Sequence, residues 1–229
     1  FLLLVCTWCI SMDGNTGNPF LITIINKSNF VNIMSLIKHS KYIYQYDNFV
    51  SKSQCKSIQH LVETSDSYSD SIDKINASKT EIRHNCAIGV TDWAQNDDKM
   101  RRADSIIHTH FSRCHQKYLT ENKAFYFYLR DNVENLTCRY IYRKYDENDY
   151  YDWHVDIVPN EDYVFSYLLY LNDDFEGGDT LFLDDNIRVR PKTGSMLCFP
   201  VNLQMVHKGC PVKKGSKKVI WTCMNRRNS

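Results

Sequence analysis

Short segments with the alternation of β-strands fill the second half of the chain and restrict its fold more than any other feature. From residue 124 onward turn residues separate them, among them Asn172-Asp173 and Gly177-Gly178. The predicted strands are 124–130, 137–145, 150–157, 163–171, 179–184, 187–190, 195–200, 204–208 and 217–224. Short strands joined by turns are typical of antiparallel sheets. Following two helices, they predict a double-stranded β-helix, the jelly-roll barrel, in an α+β chain that is mainly β.

Two helices are predicted N-terminal to the barrel. Ser51 is a favourable N-cap for a helix that continues through Val62. A second helix runs from about Asp97 to Leu119 and has apolar residues at intervals of three and four, which form one stripe. The residues of the stripe are Met100, Ala103, Ile106, Ile107, His110, Phe111, Cys114 and Tyr118. We expect both helices to buttress the outside of the main sheet. The other predicted segments are strands at 42–46 and 81–90 and a polar loop at 64–80.

The second helix also carries three histidines, His108, His110 and His115. None of them is three or four residues from another, so they do not share a helix face as a metal-binding pair would. We expect them to be ordinary core or surface side chains.

The composition argues against a nucleic-acid or membrane partner. With 28 basic and 27 acidic residues the net charge is +1, so no strong field attracts a polyanion. Nine scattered cysteines favour reduced thiols in the cytoplasm. The apolar decamer 1–10 is too short to span a bilayer, but as a remnant of a signal sequence it leaves the secretory pathway open. We treat residues 1–39 as an N-terminal extension.

A histidine and a carboxylate stand two residues apart in the predicted strand 150–157. Because side chains alternate faces along a strand, His154 and Asp156 point to the same side. Their Cα atoms would lie about 6 to 7 Å apart, which lets both side chains bind one metal ion. His207 is the only histidine C-terminal to this pair and is the candidate third ligand. Two histidines and a carboxylate have the composition of the facial triad that binds Fe(II) and leaves positions open for substrate and O2.

Four further motifs follow this pair in order. They are YLLYLNDDFEGGDTLF at 167–182, PKTGS at 191–195, HKGCPV at 207–212 and GSK at 215–217. In this order and spacing, residues 41–223 resemble the prolyl 4-hydroxylase-like branch of the Fe(II)/2-oxoglutarate-dependent dioxygenases. The resemblance implies a catalytic domain at 40–229 that uses Fe(II), 2-oxoglutarate and O2, and it allows ascorbate as a further cofactor.

The resemblance also assigns residues to the co-substrate. Lys217, ten residues after His207, matches the family lysine that binds the distal carboxylate of 2-oxoglutarate, with Lys218 as the alternative. Tyr145, nine residues before the first histidine ligand, resembles the tyrosine whose hydroxyl shares that carboxylate. Thr180 resembles the threonine that lines the same pocket. Each also has an ordinary interpretation: Lys217 as a solvated turn lysine, Tyr145 as a chance match among fifteen tyrosines, and Thr180 as a β-branched residue at the start of a strand.

The resemblance says least about the acceptor, the molecule that is hydroxylated. The family chemistry is hydroxylation of a C–H bond, and a prolyl residue in a protein or peptide is the expected acceptor. Relatives usually carry an arginine where this chain has Tyr163, which keeps another side chain, a free amino acid or a small metabolite open as alternatives. A non-catalytic jelly-roll binding module is the alternative from another class. The polar 64–80 segment and the tyrosine-rich 140–151 segment are candidate lids over a peptide groove, or ordinary surface loops.

Overall fold

Two antiparallel sheets form the barrel in the computed structural model, which describes residues 34–70, 80–123, 125, 139–184 and 186–225. In chain order the strands are β1 (Ser35–Lys38), β2 (Tyr44–Asp47), β3 (Arg83–His84), β4 (Cys86–Gly89), β5 (Ile141–Tyr145), β6 (Tyr150–His154), β7 (Tyr163–Tyr170), β8 (Glu176–Gly177), β9 (Thr180–Phe182), β10 (Ile187–Val189), β11 (Met196–Pro200), β12 (His207–Gly209), β13 (Val212–Lys214) and β14 (Lys217–Asn225). The seven-stranded sheet has the order β1-β2-β11-β7-β14-β5-β4 and the five-stranded sheet the order β10-β9-β12-β6-β3, while β13 pairs with β8. The predicted jelly roll, mainly β within the α+β class, is confirmed.

Three helices have both ends within the described residues, namely α1 (Lys52–Glu63), α2 (Val90–Trp93) and α3 (Asp98–Glu121). Ser51 caps α1 with a capping box, in which its Oγ accepts the backbone N–H of Gln54 at 3.2 Å. Asp97 caps α3, where its Oδ1 accepts the backbone N–H groups of Lys99 and Met100. Side-chain caps satisfy N–H groups that have no partner within the helix, so both helices begin where the sequence predicts.

The apolar stripe of α3 packs on one face of the larger sheet. The Tyr118 ring lies edge-on to the rings of Tyr44 and Phe165, with centroids 5.4 Å apart in each case. Burial of each large apolar side chain of this kind contributes about 1.5 to 3 kcal/mol. Two histidines of α3 belong to this packing: His115 contacts the Tyr167 hydroxyl through Nδ1 at 2.6 Å, and His110 is buried. His108 is exposed, so the three are core or surface side chains, as expected.

Strand β14 shows how the larger sheet separates this core from the site. Lys217, Val219 and Trp221 line the cavity between the two sheets. Ile220, on the opposite face, packs in the core beneath the helices. Strand alternation therefore sends every second residue of β14 toward the site.

Several boundaries differ from the sequence-based prediction. Residues 66–70 are helical within the predicted loop 64–80, and 71–79 lie outside the described residues. The predicted strand 124–130 lies outside them too, apart from position 125. The segment 81–90 divides into β3 and β4 before α2 begins. Residues 35–38, placed in the extension by sequence, form β1 and pair with β2.

The tyrosine-rich segment 140–151 is not a lid. It forms β5 and the start of β6, joined by a turn, and each strand pairs within its sheet. The backbone hydrogen bonds of these two strands hold the segment in the barrel wall.

No helix in the described part of the chain is long and apolar enough to cross a membrane.

Candidate active site

Two histidines and a carboxylate converge between the sheets. His154 ends β6 and His207 begins β12, and the two residues are direct partners in the pairing of these strands. The Nε2 atom of His154 lies 3.6 Å from Oδ1 of Asp156, and Nε2 of His207 lies 3.7 Å from Oδ2. A divalent ion about 2.0 to 2.2 Å from each ligand atom fits between atoms at this spacing. The set could therefore hold a metal ion on one face.

Backbone carbonyls orient both imidazole rings. Nδ1 of His154 lies 2.6 Å from the carbonyl oxygen of Asp152, and Nδ1 of His207 lies 2.9 Å from that of Met205. A carbonyl oxygen only accepts, so each Nδ1 carries the proton and donates it. The lone pair is then on Nε2, the atom that faces the carboxylate, which is the tautomer that metal ligation requires.

The Asp156 carboxylate is buried and held from behind. Trp221 Nε1–H donates to Ser166 Oγ at 3.1 Å and lies 3.4 Å from Asp156 Oδ2, and the Ser166 hydroxyl bonds the same carboxylate. Burial raises the pKa of Asp156, but the positive charge of His207 and His154 when these rings are protonated, together with hydrogen bonds from His154 and Ser166, outweighs burial and holds the pKa well below its usual range. The carboxylate is therefore ionised and fixed in position.

The strand predicted at 150–157 ends earlier than the sequence suggests. β6 stops at His154, so Asp156 comes from the irregular segment that follows. The strand-alternation argument placed both side chains on one side, and they do meet, but the loop conformation and not a strand pleat aims the carboxylate.

Lys217 is a buried cation in the same cavity. Its ammonium group donates to the Gly178 carbonyl at 2.6 Å and lies 5.4 Å from the Tyr145 ring centroid and 5.5 Å from that of Tyr170. Burial lowers the pKa of Lys217 to about 8. No carboxylate among the described residues forms an ion pair with it. A buried ammonium without a counter-ion is costly, and a carboxylate ligand would relieve that cost.

The other predicted co-substrate residues lie around this amine. Tyr145 is the direct partner of Lys217 across β5 and β14. Thr180 is buried, with its Oγ1 2.9 Å from the Tyr170 hydroxyl. Tyr170, whose ring contacts the amine, was not identified from the sequence. Lys218 points away and binds Glu63 of α1 at 2.8 Å, so it is not available as the alternative cation.

Glycine at 178 leaves room for the lysine. Its φ is +67°, and a Cβ there would lie 2.8 Å from the Phe175 ring and 3.1 Å from Lys217 Cδ. The glycine of the FEGGDT motif thus combines a left-handed turn with close approach of the lysine stem.

An outer groove of about 480 Å³ adjoins this cavity on the side of Asp156. Arg143, Tyr151 and Trp221 line both spaces. Tyr163 lines the groove but not the cavity. Arg143 was not identified as a site residue from the sequence. Arg143 lies in a predicted strand, but that strand alone does not say which of its cations is buried.

Fold and site together define a class of protein. A jelly roll that holds two histidines and one carboxylate at the edge of a cavity has the arrangement of non-haem Fe(II) oxygenases, in which open metal positions face the substrates. The buried cation deeper in the cavity fits a co-substrate that carries a carboxylate.

Comparisons with known proteins agree with this class. Residues 140–224 match the sequence model of the 2OG-Fe(II) oxygenase superfamily. The fold is similar to the viral collagen prolyl hydroxylase vCPH of Paramecium bursaria chlorella virus 1, solved with 2OG, with a TM-score of 0.59 and 18% identity over 82% of this chain and 98% of the viral chain. A prolyl hydroxylase of Trichoplax adhaerens, solved with a hypoxia-inducible-factor peptide fragment, gives a TM-score of 0.58 and 15% identity over 82% of this chain and 84% of its own.

A prolyl-4-hydroxylase of Pseudomonas putida has a TM-score of 0.54 and 16% identity, over 82% of this chain and 95% of the bacterial one. No curated protein matches the chain in sequence. Residues 140–224 are therefore similar to the 2OG-Fe(II) oxygenase superfamily, and the fold is that of the prolyl hydroxylases. The expected cofactors, Fe(II) and 2-oxoglutarate, agree with this match, with the viral neighbour solved with 2OG and with the three side chains that could hold a metal ion.

Proposed function

We propose that this oxygenase hydroxylates a prolyl residue in a protein or peptide, with His154, Asp156 and His207 as the iron ligands and Lys217 as the anchor of 2-oxoglutarate. One observation carries the residue assignment: the three ligand-type side chains and the buried, unpaired ammonium group line a single cavity. A binding module without turnover has no physical need for both groups in one space.

Each residue has a distinct part in this proposal. The two Nε2 atoms and the Asp156 carboxylate would hold an Fe(II) ion from one side and leave its other positions to the substrates. Lys217 supplies the charge for the distal carboxylate of 2-oxoglutarate, and Tyr145 adds a hydroxyl beside it. The buried tyrosines around the amine keep water from that end of the cavity, which strengthens the ionic contact.

Bound Fe(II) and 2-oxoglutarate supply the oxidation, in which one atom of O2 enters the acceptor C–H bond and the other enters succinate as CO2 is released. The protein contributes orientation, since a C–H bond must be placed at the open metal positions before it can react.

The outer groove supports a peptide acceptor. It reaches Asp156 from the protein surface and runs along Tyr163 and Arg143, so an extended chain could lie in it with one residue at the metal. The prolyl choice rests on the shared fold with prolyl hydroxylases. Tyr163 in place of the usual family arginine means that the acceptor contacts differ from those of such relatives.

The direct test measures succinate and acceptor oxidation together. Purified protein with Fe(II), 2-oxoglutarate and O2 is incubated with proline-containing peptides and with free amino acids, and mass spectrometry detects the gain of one oxygen. We expect a modified prolyl residue and succinate formation that His207→Ala abolishes. Oxygen gained by a free amino acid while all peptides remain unmodified would refute the prolyl assignment, and turnover by His207→Ala would refute the metal assignment.

A further inference from the structure

Arg143 is a buried cation at the boundary between the cavity and the outer groove. It lies on β5, two residues before Tyr145, and its side chain lines both spaces. The residue is only 8% exposed. Its guanidinium carbon lies 5.5 Å from the Tyr151 ring centroid and 5.0 Å from the Trp221 ring centroid. Two aromatic rings therefore contact the cation by cation–π interactions.

One nitrogen of the guanidinium group is buried without an acceptor. Its Nη1 is buried and makes no hydrogen bond. Arginine carries five N–H donors, and a buried unsatisfied donor costs about 1 to 3 kcal/mol, more when it is charged. If Arg143 only filled space between the two rings, an apolar side chain would avoid this cost.

The carboxylates that line the groove already have partners. Asp92 accepts two hydrogen bonds from Arg139, at 2.7 and 2.6 Å. Glu161 accepts the Asn225 amide N–H at 3.1 Å. Asp156 faces the two histidines. None of these side chains forms an ion pair with Arg143, so its buried Nη1 is open to an acceptor from outside the described chain.

Arg143 also lies close to the metal ligands. The Tyr151 ring, which contacts the guanidinium group, stacks on the imidazole of His154 with centroids 3.6 Å apart and planes 9° apart. The indole of Trp221, which contacts the other side, lies against Asp156 through Nε1. One aromatic ring thus separates Arg143 from each of two proposed ligands.

The cavity is therefore lined by two cations at different depths, Lys217 and Arg143. In the pairing of β5 with β14, Tyr145 faces Lys217 and Arg143 faces Val219, one inward position nearer the groove. That spacing corresponds to about 7 Å along a strand. Lys217 is placed for the co-substrate at the closed end, and Arg143 is placed where an acceptor enters.

We propose that Arg143 binds a carboxylate of the acceptor and so positions the neighbouring C–H bond at the metal. This inference rests on the proposed function and names its substrate class, an acceptor with a carboxylate close to the oxidised carbon. The planar guanidinium fork matches a carboxylate with two parallel hydrogen bonds. The carboxylate could belong to an acidic residue beside the target, to a peptide C-terminus or to a free amino acid.

Paired probes distinguish these three sources. The protein is loaded with Mn(II) and 2-oxoglutarate in the absence of O2, so that binding is measured without turnover. The pairs are L-proline and its amide, Ala-Pro and its C-terminal amide, and capped peptides in which aspartate or asparagine follows proline. Titration calorimetry gives the dissociation constant of each, and the pair with the largest carboxylate preference identifies the source.

Substitutions of Arg143 test whether this residue causes the preference for the carboxylate probes. Arg143→Leu should lower the affinity for the preferred carboxylate probe about 10- to 100-fold, so that it equals the affinity for the corresponding amide. Arg143→Lys keeps the charge without the fork and should give an intermediate loss. Arg113→Leu is the matched control, because Arg113 makes a similar cation–π contact with Phe49 at 5.7 Å on α3, outside the cavity, and should leave every affinity unchanged.

Three results would overturn the proposal. They are equal binding of carboxylate and amide by the unsubstituted protein, no carboxylate binding in the millimolar range, and an Arg143→Leu variant that changes only the 2-oxoglutarate requirement. Formation of succinate without acceptor reports on the proposed oxygenase separately. If that activity is present while the carboxylate preference is absent, the function stands and only the role of Arg143 fails.

Discussion

His154 and His207 are direct partners across β6 and β12, although 53 residues separate them in the chain. The same strand β12 pairs with β9, where His207 faces Phe182 and Gly209 faces Thr180. The register of the five-stranded sheet therefore places both imidazoles and Thr180 in one cavity. A slip by one residue would turn each side chain to the other face.

Loss of one imidazole should remove metal binding without unfolding the protein. Metal that binds the folded state stabilises it by about 2.7 kcal/mol at one hundred times its dissociation constant. We expect Mn(II) to raise the melting temperature of the unsubstituted protein and to have no effect on His207→Ala.

His108→Ala is the control for this measurement, since His108 lies on the exposed side of α3. It should keep the full Mn(II) response. A response retained by His207→Ala would mean that the ion is held elsewhere.

The requirement for 2-oxoglutarate should depend on pH through Lys217. Burial lowers the pKa of this amine to about 8, so below that pH it is charged and above it neutral in the free enzyme. Because a charged amine favours the carboxylate, kcat/KM for 2-oxoglutarate should fall as pH rises through about 8. The pH profile of initial succinate formation measures this.

Lys217→Arg provides the comparison, because a guanidinium group stays protonated throughout this range. Its activity is expected to be lower, but its profile should lack the fall near pH 8. An identical fall in both proteins would assign the titration to another group.

Trp221 should act through Asp156. Trp221→Phe keeps an aromatic ring but removes the Nε1–H that bonds Ser166 and lies against Asp156. Loss of a partner that orients a metal ligand typically costs 10- to 100-fold in affinity, so we expect about a tenfold weaker Mn(II) titration.

Trp153→Phe is the control and should leave the Mn(II) affinity unchanged, since Trp153 is 39% exposed and lies beside Lys208. Equal effects of the two substitutions would indicate general loosening of the site and not an orienting role for Trp221.

The barrel and the set of candidate ligands could be predicted from sequence because their signals are local. Strand alternation predicts β7, β11 and β14 closely, and the spacing of motifs carries the resemblance that pointed to Lys217. The orientation of Asp156 could not be predicted, since it depends on the loop beyond β6. The contact of Trp221 with Asp156 joins residues far apart in sequence, and no pattern within either segment indicates it.

The burial of Arg143 could not be predicted from the sequence either. Arginine is rarely buried without a partner, so a strand containing Arg143 and Lys144 is read from sequence as carrying solvated cations. Only the arrangement of Tyr151 and Trp221 on neighbouring strands shows that Arg143 is enclosed. Sites where sequence reasoning fails in this manner are often functional, because they break a local rule at a cost in stability.

Stability should depend on Gly194, which joins the start of α1 to β11. Its carbonyl accepts the backbone N–H groups of Phe49 and Val50, each at 3.0 Å, and its φ is +78°. A Cβ at this position would lie 1.9 Å from the Val50 carbonyl oxygen, so the backbone would have to move. Gly194→Ala should lower the free energy of unfolding by about 2 to 4 kcal/mol, measured by urea denaturation.

Gly209→Ala is the matched substitution, since a Cβ there would meet nothing closer than 3.8 Å and the backbone is not left-handed. It should change the unfolding free energy by less than about 1 kcal/mol. Comparable losses in the two variants would show that the Val50 contact is not what requires glycine at 194.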